Sequence, residues 1–423
     1  MHSQYIMDKI AIVVQRYGKE VSGGAEEHAR MLAERLKARY GVDVLTSRAL
    51  NFPVWDNYYP AGEEVLDGIR VLRFTHERVN PKTPRWLGRY LRGNWKYYHT
   101  GYTFANIITL SLRRLRYRRR KDHDRIFEDW IENDGPVCKG MISYIEQEKD
   151  RYKAFIFLNY PFYPTYFGLQ KASGKSILIP LAHDEPMLYL SGYNKMFALP
   201  GFIMYNTESE KHLVESAHPI TRTIRSDIAG VGFDRPVPAE NTESPIGSPY
   251  FVYIGRIDIG KGCLELIDYF SKMNKPEVKL VMIGKNYMDN PVEHDNIIFT
   301  GFVDEAEKLD YLQHCEGLII PSRYESLSMV TLEAMSVGKP VLANGRCEVL
   351  RHHIEQSQAG FVYYDGKDFA GQVNRILNLS DRDRQVIAQN GRSYVERNYQ
   401  WESILKKFDA AIDYVGMDRE ASL

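Results

Sequence analysis

Cysteine is scarce in this chain: Cys138, Cys263, Cys315 and Cys347 are the four in 423 residues, and no two form a C-x-x-C pair. That is too few for a disulfide framework, lacks the spacing of a metal site, and fits a reducing compartment. A charge imbalance is also missing, since 55 Lys+Arg stand against 55 Asp+Glu. Nothing global therefore points to a nucleic-acid partner. No uninterrupted run of about 18 apolar residues occurs, which excludes a bilayer-spanning helix in the sequence given. Ahead of Ala11 there is no apolar stretch of signal-peptide type, so a cytoplasmic location is expected. Hydrophobic residues make up 44% and charged residues 26%. That balance is globular, and the length allows two or three domains with large cores.

Short apolar runs at Lys9–Gln15, Val42–Ser47, Ile69–Phe74, Ala154–Asn159, Ser176–Pro180 and Gly201–Asn206 alternate with helical stretches such as Ala25–Arg39. Arg235–Pro249 is rich in Pro, Ser, Glu and Asn with almost no large apolar residue, which is linker chemistry. A second series follows at Phe251–Ile257, Lys279–Gly284, Ile297–Phe302, Gly317–Ser322, Pro340–Gly345 and Gly360–Tyr364, with helices over Leu327–Val337 and from Asp381 to Val415. Near-continuous apolar strands separated by helices indicate parallel sheets covered on both faces. The simplest architecture is two doubly wound α/β domains with a cleft between them. Chemistry should then lie in the loops beyond the carboxyl ends of the strands.

Four such loops stand out. Ser22-Gly23-Gly24-Ala25-Glu26 follows the first strand and opens a helix, where glycines and free amides favour an anion. A plain turn that packs helix on strand is the other reading. The spacing is not G-x-G-x-x-G, and no acid ends the second strand at Ser47, which tells against a nicotinamide dinucleotide. Gly255–Gly262 carries Arg256 and Lys261, which together suit a diphosphate or else are two solvated cations near a turn. It lacks the P-loop order. Pro321–Met335 places Glu325 in a strand-to-helix loop and Glu333 inside the helix, with the amides of Leu327–Val330 at the helix start. That set suits a polyhydroxylated, phosphorylated ligand, although two glutamates eight apart are common. Leu181-Ala182-His183-Asp184-Glu185-Pro186 brings a histidine to a strand end, either to stabilise developing charge or as a structural hydrogen-bonding residue.

Taken together, these motifs resemble a retaining glycosyltransferase of family 4. Glu325–Glu333 matches the E-x7-E element of that family in the setting P-S-x-x-E-S-x-x-x-x-x-L-E-A-M, and Gly255–Gly262 matches G-R-x-x-x-x-K-G. Gly301–Asp304 (GFVD) is similar to the loop bordering the nucleobase. Ser22–Glu26 resembles the glycine-rich first loop, and Gly230–Asp234 the end of the first domain, with Ile228-Ala229 in place of the usual Pro-Asn. The resemblance implies an α/β GT-B fold of two Rossmann-like doubly wound parallel-sheet domains facing each other across a cleft. Residues 1–234 would be the acceptor-binding domain, with a basic and aromatic helical insertion at about 78–135. Residues 235–249 would be the linker, 250–400 the nucleotide-sugar domain, and 401–423 a helix crossing back.

The resemblance also implies site roles. Arg256 and Lys261 would bind the donor diphosphate and offset charge on the leaving nucleotide. Gly23 and Gly24 would approach the distal phosphate. Gly301, Phe302 and Val303 would border the base. Glu333 would take the ribose hydroxyls, Glu325 those of the donor sugar, and the amides of Leu327, Ser328 and Met329 would meet sugar and phosphate. His183 would sit near the reacting carbon. The implied reaction is a front-face substitution in which the leaving phosphate helps deprotonate the acceptor, with domain closure excluding water. It needs no metal and no cofactor beyond the nucleotide-sugar co-substrate. Asp122-His-Asp124 and Asp381-Arg-Asp383 follow no strand and read as chance matches to a metal-binding Asp-x-Asp.

Arg78–Arg125 fits neither series. It holds 14 Lys+Arg against two acids, interleaved with eight aromatic residues. Its chemistry suits an anionic inner-leaflet surface presenting a lipid-linked saccharide acceptor, or else a solvated helical hairpin with its aromatics in a core. Nucleic acid is the weaker alternative. Two functions compete with transfer: a GT-B nucleotide-sugar epimerase, and a non-catalytic nucleotide-sugar-binding partner subunit.

Overall fold

A computed structural model describes residues 7–21, 23–77, 123–185, 187–234, 243–273, 275–288 and 294–417. Ser22, Pro186, Arg78–Asp122 of the basic stretch and 235–242 of the expected linker lie outside the described residues. The chain divides into two compact units: residues up to Ala229 with those from Leu405 onward, and Gly230–Ile404.

The first unit is built on β1 (Lys9–Val13), β2 (Gly41–Ser47), β3 (Gly62–Leu66), β4 (Ile69–Phe74), β5 (Ala154–Leu158), β6 (Ser176–Ile179), β7 (Phe202–Tyr205) and β8 (Ser226–Ile228). Their order is β3-β4-β2-β1-β5-β6-β7-β8. All pairings are parallel except β3 with β4. At the centre Ile10 is in register with Val42 and Ala154. β1 and β5 are buried along almost their whole length, as expected of strands with helices on both faces. Two strands escaped the apolar pattern. β3 (GEEVL) is a mostly exposed, acidic edge strand, and β8 is three residues long.

The second unit contains β9 (Tyr250–Ile254), β10 (Lys279–Ile283), β11 (Ile297–Gly301), β12 (Gly317–Ile320), β13 (Val341–Asn344) and β14 (Gly360–Tyr363). Their order β11-β10-β9-β12-β13-β14 is wholly parallel. This is the doubly wound arrangement, with its strand order reversing between β9 and β12. The loops after those two strands are the ones carrying Arg256, Lys261 and Glu325. Strands here end one to three residues before the apolar text does, because Gly255 and Pro321 begin the functional loops.

Packing rather than composition sets the first unit's end at Ala229 instead of Asp234. Gly230–Asp234 go with the second unit: the Phe233 N–H donates to the Tyr399 carbonyl at 2.7 Å, and Gly232 lies against the Trp401 ring. The last helix, Trp401–Gly416, joins the first unit from Leu405. There Lys153 Nζ meets Asp413 at 2.8 Å and the Tyr40 hydroxyl donates to Asp409 at 3.0 Å.

Local chemistry fixes the helix ends. Asp304 Oδ1 accepts from the Glu307 N–H at 2.9 Å while Glu307 reaches back to the Asp304 N–H, a reciprocal cap on helix Glu305–His314. Asp304→Ala should cost about 1 kcal/mol, read as a lower urea midpoint with an unchanged m-value. At the other ends, Lys339 donates to the Cys315 carbonyl at 2.9 Å and Arg392 to the Val337 carbonyl at 3.2 Å. Cations there complement the helix dipole. Among the described residues, no helix is long and apolar enough to cross a membrane.

Candidate active site

The loop after β9 is held from within. The Tyr253 hydroxyl donates to the Arg256 carbonyl at 2.6 Å, and Asp258 Oδ1 accepts from the Lys261 N–H at 2.8 Å. Gly262 caps the following helix Cys263–Ser271 with φ of 78°, and a Cβ there would stand 2.6 Å from the Pro321 carbonyl oxygen. Only glycine lets the loops after β9 and β12 approach this closely. Asn344 Nδ2 donates to the same carbonyl at 2.9 Å, tying β13 to the arrangement.

That approach brings Lys261 Nζ to 2.8 Å from Glu325 Oε1. Lys261 is 29% exposed and Glu325 15%, so the pair is screened by protein while still open to a ligand. Arg256 is half-exposed, with its guanidinium 3.6 Å from Asp258. A diphosphate arriving here would meet two cations whose carboxylate partners lie deeper than they do.

Glu333, inside the helix that follows, is not free for a ligand alone. Its Oε2 lies 3.0 Å from Lys308 Nζ, which also meets Glu305 at 2.7 Å. Burial works against the Lys308 charge, yet Glu333 and Glu305 together raise its pKa. Lys308 was not singled out in the sequence because nothing in its own helix marks it. Gly301 ends β11, and Phe302 beyond it is exposed.

The helix expected over Leu327–Val337 spans Met329–Ser336. Leu327 and Ser328 form the turn before it, with Ser328 in the left-handed region at φ 62° and its hydroxyl paired to Thr331 Oγ1 at 2.8 Å. The amide-rich start therefore begins two residues later than the apolar pattern suggests.

In the first unit, Gly23 caps helix Gly24–Leu36. A Cβ on Gly23 would lie 2.2 Å from Glu26 Oε2. The buried Glu26 accepts from Gln15 at 3.1 Å and from Arg16 Nε at 2.8 Å, so this acid is engaged inside the loop. Arg16 also donates to the Leu50 carbonyl at 2.9 Å. His183 follows β6, and its Nδ1 is buried without a hydrogen-bond partner among the described residues. The flanking acids engage tyrosines: Tyr189 donates to Asp184 at 2.5 Å and Tyr160 to Glu185 at 3.2 Å.

The residue that fixes the His183 loop is one the motifs did not show. Glu210 is buried, and its two oxygens accept from the Ala182 and Asn206 N–H groups, each at 2.6 Å. Burial pushes its carboxyl up to about 8, against the pull of those backbone donors. Among the described residues no group of three or more His, Cys, Asp or Glu could hold a metal ion.

Residues 235–394 match the family model described as glycosyl transferases group 1. An uncharacterised glycosyltransferase of Methanocaldococcus jannaschii is 28% identical over 191 residues, covering 42% of this chain and 46% of the relative. The lipopolysaccharide 1,2-N-acetylglucosaminetransferase of Salmonella typhimurium is 25% identical over 177 residues, covering 37% and 46%. The match thus spans less than half the length of either curated relative. The sucrose-phosphate synthase structure from Thermosynechococcus elongatus superimposes with a TM-score of 0.65 at 17% identity, over 95% of this chain and 98% of that one. The fold is therefore of the GT-B type. Residues 235–394 carry the group 1 match, so this part of the chain is similar to a glycosyltransferase domain.

Proposed function

We propose that the chain is a retaining glycosyltransferase that moves a sugar from a nucleotide-sugar donor to an acceptor hydroxyl. The observation that carries this reading is the Lys261–Glu325 pair at 2.8 Å, with Arg256 alongside, in the loops that flank the strand reversal. Arg256 and Lys261 would neutralise the diphosphate as it leaves, and Glu325 would hold donor-sugar hydroxyls. Glu333 would take the ribose hydroxyls with Lys308 beside it. In the first unit the Gly24 amide would face phosphate and His183 would face the sugar. The departing phosphate oxygen would accept the acceptor proton, so no separate base is required. The acceptor class we infer is a saccharide or lipid-linked saccharide of bacterial surface polysaccharide or glycolipid, handled at the inner face of the cell membrane.

Calorimetric titration with UDP, GDP and ADP tests the donor assignment. One of the three should bind wild type and fail to bind the Arg256→Ala/Lys261→Ala variant; no binding by wild type would sink it. With the matching sugar nucleotide, NMR of the product should show the donor's anomeric configuration kept. Nucleotide binding without turnover would favour a partner subunit, and a converted but still nucleotide-linked sugar an epimerase.

A further inference from the structure

Helix Glu348–Ser357 places His353 on its buried face beside Val349, Leu350 and Ile354. Both ring nitrogens are engaged there. Nε2 lies 2.8 Å from the Leu327 carbonyl oxygen, and Nδ1 lies 2.9 Å from the Tyr394 hydroxyl. A carbonyl can only accept, so Nε2 carries the proton and Nδ1 accepts from Tyr394. The neutral tautomer is thus fixed by geometry, and burial, which lowers the pKa to about 4, keeps it neutral.

The carbonyl it grips belongs to the turn that opens helix Met329–Ser336. The Leu327–Ser328 peptide is trans, so a carbonyl turned inward to His353 points the Ser328 N–H the other way. Neither the Ser328 nor the Met329 N–H has a hydrogen-bond partner among the described residues. Ser328 also sits in the left-handed region, where a non-glycine residue is strained and needs its surroundings to hold it. The loop has no side-chain cap of its own, since the Ser328 hydroxyl is paired with Thr331 instead.

We propose that His353 is a positioning residue of the donor loop: by holding the Leu327 carbonyl inward it aims the Ser328 amide outward, next to the Met329 amide, where the two meet the oxygens of a nucleoside diphosphate. Tyr394 acts one step behind, by locking the tautomer. This rests on the donor-site reading above. It assigns affinity for an anionic ligand to a residue that never touches it.

The test uses the full chain with His353→Phe, which keeps the ring bulk and removes the donor, and His353→Gln, whose amide can place an N–H where Nε2 stood. Calorimetry with UDP, GDP and ADP reports affinity, donor KM and kcat report turnover, and hydrogen exchange reports the 327–329 loop. His353→Phe should weaken the nucleoside diphosphate at least about tenfold and raise donor KM more than it lowers kcat, while His353→Gln stays close to wild type. The loop amides should exchange faster in His353→Phe without any ligand. Unchanged affinity in a folded His353→Phe overturns the proposal, as does equal loss in Phe and Gln variants. If His353→Phe does not fold, Tyr394→Phe decides: a loss of about threefold in affinity supports the relay, and none overturns it. Should wild type bind none of the three nucleotides, the donor reading fails. The exchange data then still decide whether His353 pins the turn.

Discussion

Lys261→Ala should lower turnover by about a hundredfold to a thousandfold if Lys261 stabilises the leaving diphosphate as proposed, the range seen when one preorganised charge-stabilising group is removed from a transition state. Two consequences of the deletion add. The departing diphosphate loses the cation best placed to take its growing charge, and Glu325 loses the partner that stood 2.8 Å away. With Glu325 only 15% exposed, a carboxylate that has lost its ammonium beside an incoming diphosphate is a repulsive element. The two contributions separate in a double-variant comparison. Lys261→Ala/Glu325→Gln should bind nucleoside diphosphate better than Lys261→Ala alone, because the stranded charge is gone, yet turn over no faster. Lys261→Arg should not rescue fully, since the planar fork cannot reproduce a compact ammonium in a loop fixed by Asp258 and Gly262. Steady-state kinetics with saturating acceptor read the effect in kcat as well as in donor KM. Turnover within about threefold of wild type would remove Lys261 from the reaction.

What was legible in the sequence follows from where the signal resides. Buried parallel strands announce themselves because both faces must be apolar, so β1, β5, β9 and β12 stand out as text. The charged edge strand β3 does not, because its residues answer to water on one side. The pairing of Lys261 with Glu325 could be suspected from loop position alone, since both loops flank one reversal of strand order. Lys308 could not, because its role depends on Glu333 from another helix, and tertiary placement of that kind leaves no mark in the local text. His353 left a readable one: Val349, Leu350, His353 and Ile354 form a helical stripe that is apolar but for the histidine. Glu210 misleads instead. Thr207-x-x-Glu210 has the form of a reciprocal helix cap, and Thr207 does accept from the Glu210 N–H at 3.1 Å. The glutamate, however, turns away to accept from the Ala182 and Asn206 N–H groups, which lie at neighbouring strand ends.

The same buried groups predict an uneven response to acid. His28 and His353 are buried, and burial lowers each from 6.5 to about 4. A base whose folded pKa lies below its unfolded value binds more protons unfolded than folded between the two. Stability therefore falls as pH drops from about 6.5 to about 4, by about 3 kcal/mol for each histidine at about 1.4 kcal/mol per pH unit. Around His353 the nearby charges oppose one another, His352 lowering its pKa and Glu325 raising it, so burial decides the outcome. Glu210 acts with the opposite sign. Its carboxyl rises from 4.5 to about 8, so the folded state binds the extra proton in that window and gains stability as pH falls toward 4.5. In the first unit Glu210 offsets only part of the acid loss from His28 and His218, whose pKa burial also lowers. In the second unit Glu265, whose pKa is lowered by Tyr269, Arg323 and Arg346 despite burial, adds to the acid loss from His353. Hydrogen exchange at pH 6.5 and 4.5, corrected for intrinsic rates, should show protection falling in β9, β12 and β13. His353→Gln should flatten that slope in the second unit alone. A slope that survives His353→Gln would show that the acid response of the second unit comes from other groups.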